Sequence, residues 1–235
     1  MTLGELLTAL GYLTGALVLY CESRRRRLAT PGMRIVALCG IVGGVVGARV
    51  SEWIFSAASV LSAHPAAILD PRNGGKSLVG GLIFGWISVE IAKRKLGIVR
   101  STGDLWALAL PAGEAVGRLG CFASGCCFGL PFHGPWAIAQ HGEWRHPTQL
   151  YSALGAALIF AVLWKLRDSL PREGDLFRLY LLLYGLSRFS IEFARQRDFV
   201  WALLSTVQLI CLEAVLFAAI SLALSFRKAQ RMNLA

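Results

Sequence analysis

The segment GRLGCFASGCCFG, residues 117–129, sets Arg118 and three thiols, Cys121, Cys126 and Cys127, among four glycines at the end of a long apolar run. An arginine at the centre of a membrane helix costs about 3 kcal/mol on insertion scales, so such a residue needs a partner or a task. Glu114 lies four residues before Arg118, and Glu192 four residues after Arg188, so each pair meets on one helix face. Arg49 and Glu52 stand three apart in another apolar run. One chemistry for these residues is structural: ion pairs that lock helices together. The other is binding. A guanidinium grips phosphate through a planar fork and never loses its charge. Two arginines in one lipid-accessible cavity make a phospholipid headgroup site, and Gly117, Gly120, Gly125 and Gly129 let backbone approach the ligand.

The elements that must position them are membrane helices. The 235-residue chain is 55% hydrophobic and only 16% charged, with a mean hydropathy of +0.57. That composition excludes an ordinary soluble domain. It also argues against reading the net charge of +10 as a nucleic-acid surface; basic loops beside a membrane explain it better. Six cysteines in a chain of this length do not form the framework of a small secreted domain. The first apolar segment has neither a basic leader nor a small-residue cleavage site, so it reads as retained. Runs of the required 20 or so residues fall at about 3–21, 35–62, 77–92, 102–122, 148–165, 176–194 and 200–226. The fold class expected is all-α, a polytopic membrane protein of about seven spans, forming a single domain over residues 1–235. Pro111 predicts a break or a partly re-entrant path in the fourth span. The turn-rich stretch 125–147, with Pro131, Pro135, Gly142 and Pro147, predicts a small external cap rather than another helix.

The loops set the orientation. Arg24, Arg25, Arg26, Arg27 and Arg34 follow the first span, and Lys93, Arg94, Lys95 and Arg100 the third. Lys165, Arg167, Arg172 and Arg178 follow the fifth, and Arg227, Lys228 and Arg231 the seventh. Seven alternating spans put these 16 of the 24 basic residues on one side. The other side holds Arg72, Lys76, Arg145, Arg195 and Arg197. The positive-inside rule then predicts an outward N-terminus and a cytoplasmic C-terminus.

Four stretches together resemble one family. GRLGCFASGCCFG resembles the signature of the prolipoprotein diacylglyceryl transferases, which opens on a glycine–arginine pair and closes on a glycine. NGGKSLVGGLIFG is similar to the family's glycine-rich start of the third helix, RHPTQLY to its arginine–histidine–proline–serine–glutamine–leucine–tyrosine block at the start of the fifth, and YGLSRFSIEFARQRD with STVQL to its last two helices. The likeness runs from about residue 8 to 226. It implies an inner-membrane enzyme that moves a diacylglyceryl group from phosphatidylglycerol to the lipobox cysteine of a prolipoprotein signal peptide, releasing glycerol phosphate, with no cofactor and no metal. By motif position it implies Arg118 and then Arg188 as the groups that stabilise the leaving phosphate, with Glu192 as the support of Arg188; His146 is the best surviving candidate for the base, with His133 and His141 behind it. Gly117, Gly129, Cys121, Cys126, Gln149, Tyr151 and Arg49 are the remaining expected substrate contacts. His146, Gln149 and Tyr151 read equally as helix-entry and interfacial residues.

The chain departs from the family pattern at several places. Val79 stands where a histidine is usual, Cys121 and Cys126 where the signature has asparagine and glutamate, Ser152 where a glutamate follows the QLY block, and Thr8 where a tyrosine is expected. Two other functions therefore stay open: a relative that uses phospholipid with another acceptor or as an acyltransferase, and a non-catalytic lipid-binding accessory protein. The cysteines have several readings. They fill a tight turn as small hydrophobes, or pair as a disulfide, or supply a thiolate nucleophile beside Arg118. A thiolate attacking the glycerol carbon would form a thioether, a poor leaving group, so a nucleophilic role suits acyl transfer instead. Metal binding is the weakest reading, because CFASGCC lacks a paired zinc spacing even with His133, His141 and His146 nearby.

Overall fold

A computed structural model describes residues 2–63, 78–195 and 204–233. The described residues form helices α1 (Leu3–Arg25), α2 (Pro31–Ala63), α3 (Leu78–Lys95), α4 (Gly103–Ala123), α5 (Thr148–Leu166), α6 (Asp175–Glu192) and α7 (Thr206–Asn233), with one hairpin of β1 (Ile138–Gln140) and β2 (Glu143–Arg145) between α4 and α5. The seven helices match the seven apolar runs to within a few residues at most ends. The protein is an all-α polytopic membrane protein. Among the described residues, α1, the Pro31–Ser51 part of α2, α5 and the Thr206–Arg231 part of α7 are long and apolar enough to cross a bilayer by length and composition. The other three, α3, α4 and α6, carry ionisable residues inside their runs, Glu90 and Lys93, Glu114 and Arg118, and Arg178 and Arg188.

The helices group into two compact units. One comprises Arg26–Arg100, and in it α2 packs against α3. Arg49 belongs to this unit, half-buried on α2. Val79 lies on α3, but its side chain falls outside the described residues, as do the side chain of Glu52 and residues Arg72, Lys76 and Arg197.

The other unit comprises Met1–Arg25 and Ser101–Ala235 and holds every other expected site residue. Its centre is α4, which packs on α1, α5 and α6, while α6 also packs on α7. Leu105, Ala107, Leu108, Ala109 and Ala112 of α4 are buried, while Leu13 and Leu17 of α1, Leu154 and Leu158 of α5, and Phe217 and Ile220 of α7 are exposed. Large apolar side chains facing outward suit a helix bundle solvated by lipid, where close backbone packing replaces a hydrophobic driving force. The α1–α4 contact shows how close. A Cβ on Gly11 would lie 2.7 Å from the Gly117 nitrogen, and one on Gly120 would lie 2.8 Å from the Gly4 carbonyl.

Pro111 corrects one expectation: α4 runs unbroken through it. Proline removes a single N–H, and Pro111 is fully buried between packed neighbours that hold the helix on course.

The ends of the bundle differ in chemistry. At the basic end, buried Glu22 pairs with Arg25 at 2.6 Å, and Arg25 reaches Asp168 at 2.9 Å. There Asp104 of α4 accepts hydrogen bonds from the Gly174 and Phe177 nitrogens and so caps α6 across the unit. At the opposite end lie the C-termini of α4 and α6, the N-terminus of α5 and the hairpin. The expected cap is therefore present as a turn-rich segment, and it contains two short strands. His141 and Gly142 both have positive φ, 53° and 81°, which suits a two-residue hairpin turn.

Candidate functional site

The two arginines reach this end from neighbouring helices. Arg118 Nε donates to Glu114 Oε1 at 3.1 Å, and the two side chains are only 13% and 11% exposed. Arg188 Nη1 lies 2.5 Å from Glu192 Oε2, an ion-pair contact not aligned as a hydrogen bond. Ser205 Oγ donates to Glu192 Oε1 at 3.3 Å, and Gln208 Nε2 donates to the Phe189 carbonyl at 3.3 Å. The start of α7 thus braces the end of α6 and fixes Glu192, which in turn orients Arg188.

The pairs are not sealed apart. One small cavity is lined by Glu114 from α4, by Ser152, Ala156 and Ile159 from α5, and by Tyr184, Ser187, Arg188 and Ile191 from α6. Glu114 interacts electrostatically with Arg188 as well as with Arg118. The cavity therefore joins the acidic partner of one arginine to the other arginine. Its polar lining contains a group that the sequence reading missed: the buried Tyr184 hydroxyl makes no hydrogen bond among the described residues. Tyr184 stands four residues before Arg188, so a same-face search along α6 finds it.

The hairpin and the start of α5 build the second half of the site. His146 Nδ1 is 3.0 Å from the Tyr151 hydroxyl, and its ring stacks on Phe132 at 3.9 Å. Pro147 occupies the N-cap of α5, one residue before the helix proper. Gln149 is buried; its Nε2 donates to the Cys126 carbonyl at 2.6 Å, while its Oε1 has no hydrogen-bond partner among the described residues. Thr148 Oγ1 donates to the Cys127 carbonyl at 2.7 Å.

Gly117 and Gly129 differ. A Cβ on Gly117 would meet open space, so this face of α4 is clear of protein. A Cβ on Gly129 would lie 2.4 Å from the Ala194 carbonyl and 2.7 Å from His146 Cβ. Glycine at 129 is thus demanded by the crossing of chain segments, where Gly129 bridges Arg195 and its N–H bonds the His146 carbonyl.

All six cysteines are free thiols, and three of them converge. Cys121, Cys126 and Cys127 place their sulfurs within 4.8 Å of one another, although only a CxxxxCC spacing announces them. Hydrogen bonds from the Cys121 and Cys126 thiols, aided by Arg195 and Arg118, hold Cys127 far below the usual thiol range. Cys126, bonded to the same two thiols, is pushed far above it.

A family model described as prolipoprotein diacylglyceryl transferase matches residues 5–224. Relatives that carry the name phosphatidylglycerol–prolipoprotein diacylglyceryl transferase include the following three. That from Clostridium tetani is 32% identical over 219 residues, covering 88% of this chain and 86% of its own. That from Finegoldia magna is 29% identical over 230 residues, covering 95% and 90%. That from Bordetella parapertussis is 34% identical over 202 residues, covering 80% and 76%.

Proposed function

This chain belongs to the prolipoprotein diacylglyceryl transferase family, and from that premise we propose how its residues carry out the transfer of a diacylglyceryl group from phosphatidylglycerol to a prolipoprotein thiol. The acceptor is the lipobox cysteine of a signal peptide. Its thiolate attacks the glycerol carbon that bears the phosphate. The carbon–oxygen bond breaks, a thioether forms, and glycerol phosphate leaves with the electron pair.

The demands on the protein are two. Negative charge gathers on the departing phosphate, and fixed cations in a water-poor cavity are the strongest means of stabilising it. Arg118 and Arg188 supply them, each held by its carboxylate, with Tyr184 and Gln149 Oε1 offering further polar contacts to the headgroup. The acceptor thiol must lose its proton. His146 takes it, with the Tyr151 hydroxyl on Nδ1 fixing the ring so that Nε2 is presented to the acceptor. Gly117 lets lipid approach α4 closely. Cys121 and Cys126 line the approach to Arg118.

The basic loops, by the positive-inside rule, turn the site end outward, to the leaflet and compartment where a secreted prolipoprotein emerges. The observation that carries the reading is the shared cavity of Glu114, Tyr184 and Arg188, one helix turn from Arg118. The test uses the purified chain with labelled phosphatidylglycerol and a lipobox peptide. Glycerol phosphate and modified peptide are expected in equal amounts, and Arg118→Ala is expected to lower kcat by about 10²–10³-fold. Phosphatidylglycerol binding without turnover, or full activity in Arg118→Ala, contradicts it.

A further inference from the structure

We propose that Cys121, Cys126 and Cys127 form a binding site for one soft cation, copper(I), held by three thiolates. This site does not depend on the transferase reading, and neither fails with the other.

The backbone is shaped to bring these thiols together. Cys121 lies in the last turn of α4, and the Cys126 N–H returns to the Cys121 carbonyl at 3.1 Å. Gly125 at φ 65° and Cys127 at φ 61° turn the chain back over the helix end. A left-handed conformation at a residue with a side chain costs about 1–2 kcal/mol, and here it sets the neighbouring side chains of residues 126 and 127 toward the same point. The loop is then clamped: Gln149 holds the Cys126 carbonyl and Thr148 the Cys127 carbonyl. A disulfide needs two sulfurs in register. A third held equally close is what a metal ion requires.

The chemistry selects the ion. Thiolates prefer soft cations such as copper(I) and zinc. Structural zinc sites take four protein ligands, and the cluster offers three sulfurs. Copper(I) accepts three. With metal–sulfur bonds of about 2.3 Å, a trigonal site has sulfurs about 4 Å apart, so closing from within 4.8 Å takes less than 1 Å of movement. Three thiolates and one copper(I) carry a net charge of −2, which Arg118 and Arg195 offset; both already act electrostatically on Cys127. Cys126 is exposed, so the ion has a path in.

The test titrates the full chain in detergent micelles with copper(I), under anaerobic phosphine reduction and in competition with bicinchoninate. One copper(I) per chain is expected to survive the competition, and copper X-ray absorption is expected to report three sulfur neighbours. Cys126→Ser, at an exposed position that least threatens folding, is expected to leave two sulfurs and weaken binding at least about tenfold. Cys126→Ser with Cys127→Ser is expected to abolish stoichiometric binding, while Cys21→Ser leaves it intact. No copper retained by the native chain, two sulfurs in place of three, or binding undiminished in Cys126→Ser overturns the proposal.

Discussion

Arg118 and Arg188 illustrate how much one side chain's setting decides. Each is neutralised along its own helix by a carboxylate four residues away, which lets a cation sit in an apolar segment. Pairing along the helix leaves the rest of the guanidinium fork to face a ligand. Because the fork is planar and bidentate, lysine does not replace it. Arg118→Lys is therefore expected to retain lipid binding but to recover less than a tenth of the native kcat in the turnover assay; native turnover in that variant contradicts a bidentate role. Cysteine chemistry at this scale has a sign. The thiolate is the reactive form. Cys127, lowered by its neighbouring thiols and by Arg195 and Arg118, is expected to react with iodoacetamide at lower pH than Cys126, which the same neighbouring thiols and burial raise. Mass spectrometry of the alkylated chain across pH reads the order, and the reverse order contradicts the assignment of donor and acceptor.

At the scale of elements, backbone approach governs α1 and α4. Gly11→Ala drives a methyl into the Gly117 nitrogen, so the helices must part, at an expected cost of about 1–3 kcal/mol. Its thermal unfolding midpoint in detergent is expected to fall. Gly117→Ala adds the same methyl into open space and is expected to leave the midpoint unchanged, while lowering turnover if lipid approaches that face as proposed. A fall in stability with intact turnover in Gly117→Ala runs against the lipid-facing role. Helix α6 depends on its neighbours in the same way. Asp104 caps its start from α4, and Ser205 braces Glu192 at its end. The apolar runs announced these helices. Pro111 misled because local propensity favours a break there, and the burial of α4 among three other helices overrides it.

For the whole molecule, the alternation of basic loops predicts sidedness. In intact cells a membrane-impermeant maleimide is expected to label a variant whose one cysteine is Cys126, and to label one with Cys21 alone only after the membrane is opened. The opposite pattern inverts the topology. Membrane class, helix number and near-limits, and the likeness to a transferase family were all legible in the chain, because apolar length, charge distribution and motif order are local properties along it. The pairing of Arg118 with Glu114 and of Arg188 with Glu192 was legible for the same reason, since helix geometry alone brings residues four apart together. The cavity common to Glu114 and Arg188, the orphan hydroxyl of Tyr184, the packing demand at Gly129 and the convergence of three thiols belong to the tertiary structure. Each joins groups from different helices or turns, and their approach is set by how small residues let those backbones pack, which no spacing within a single segment encodes.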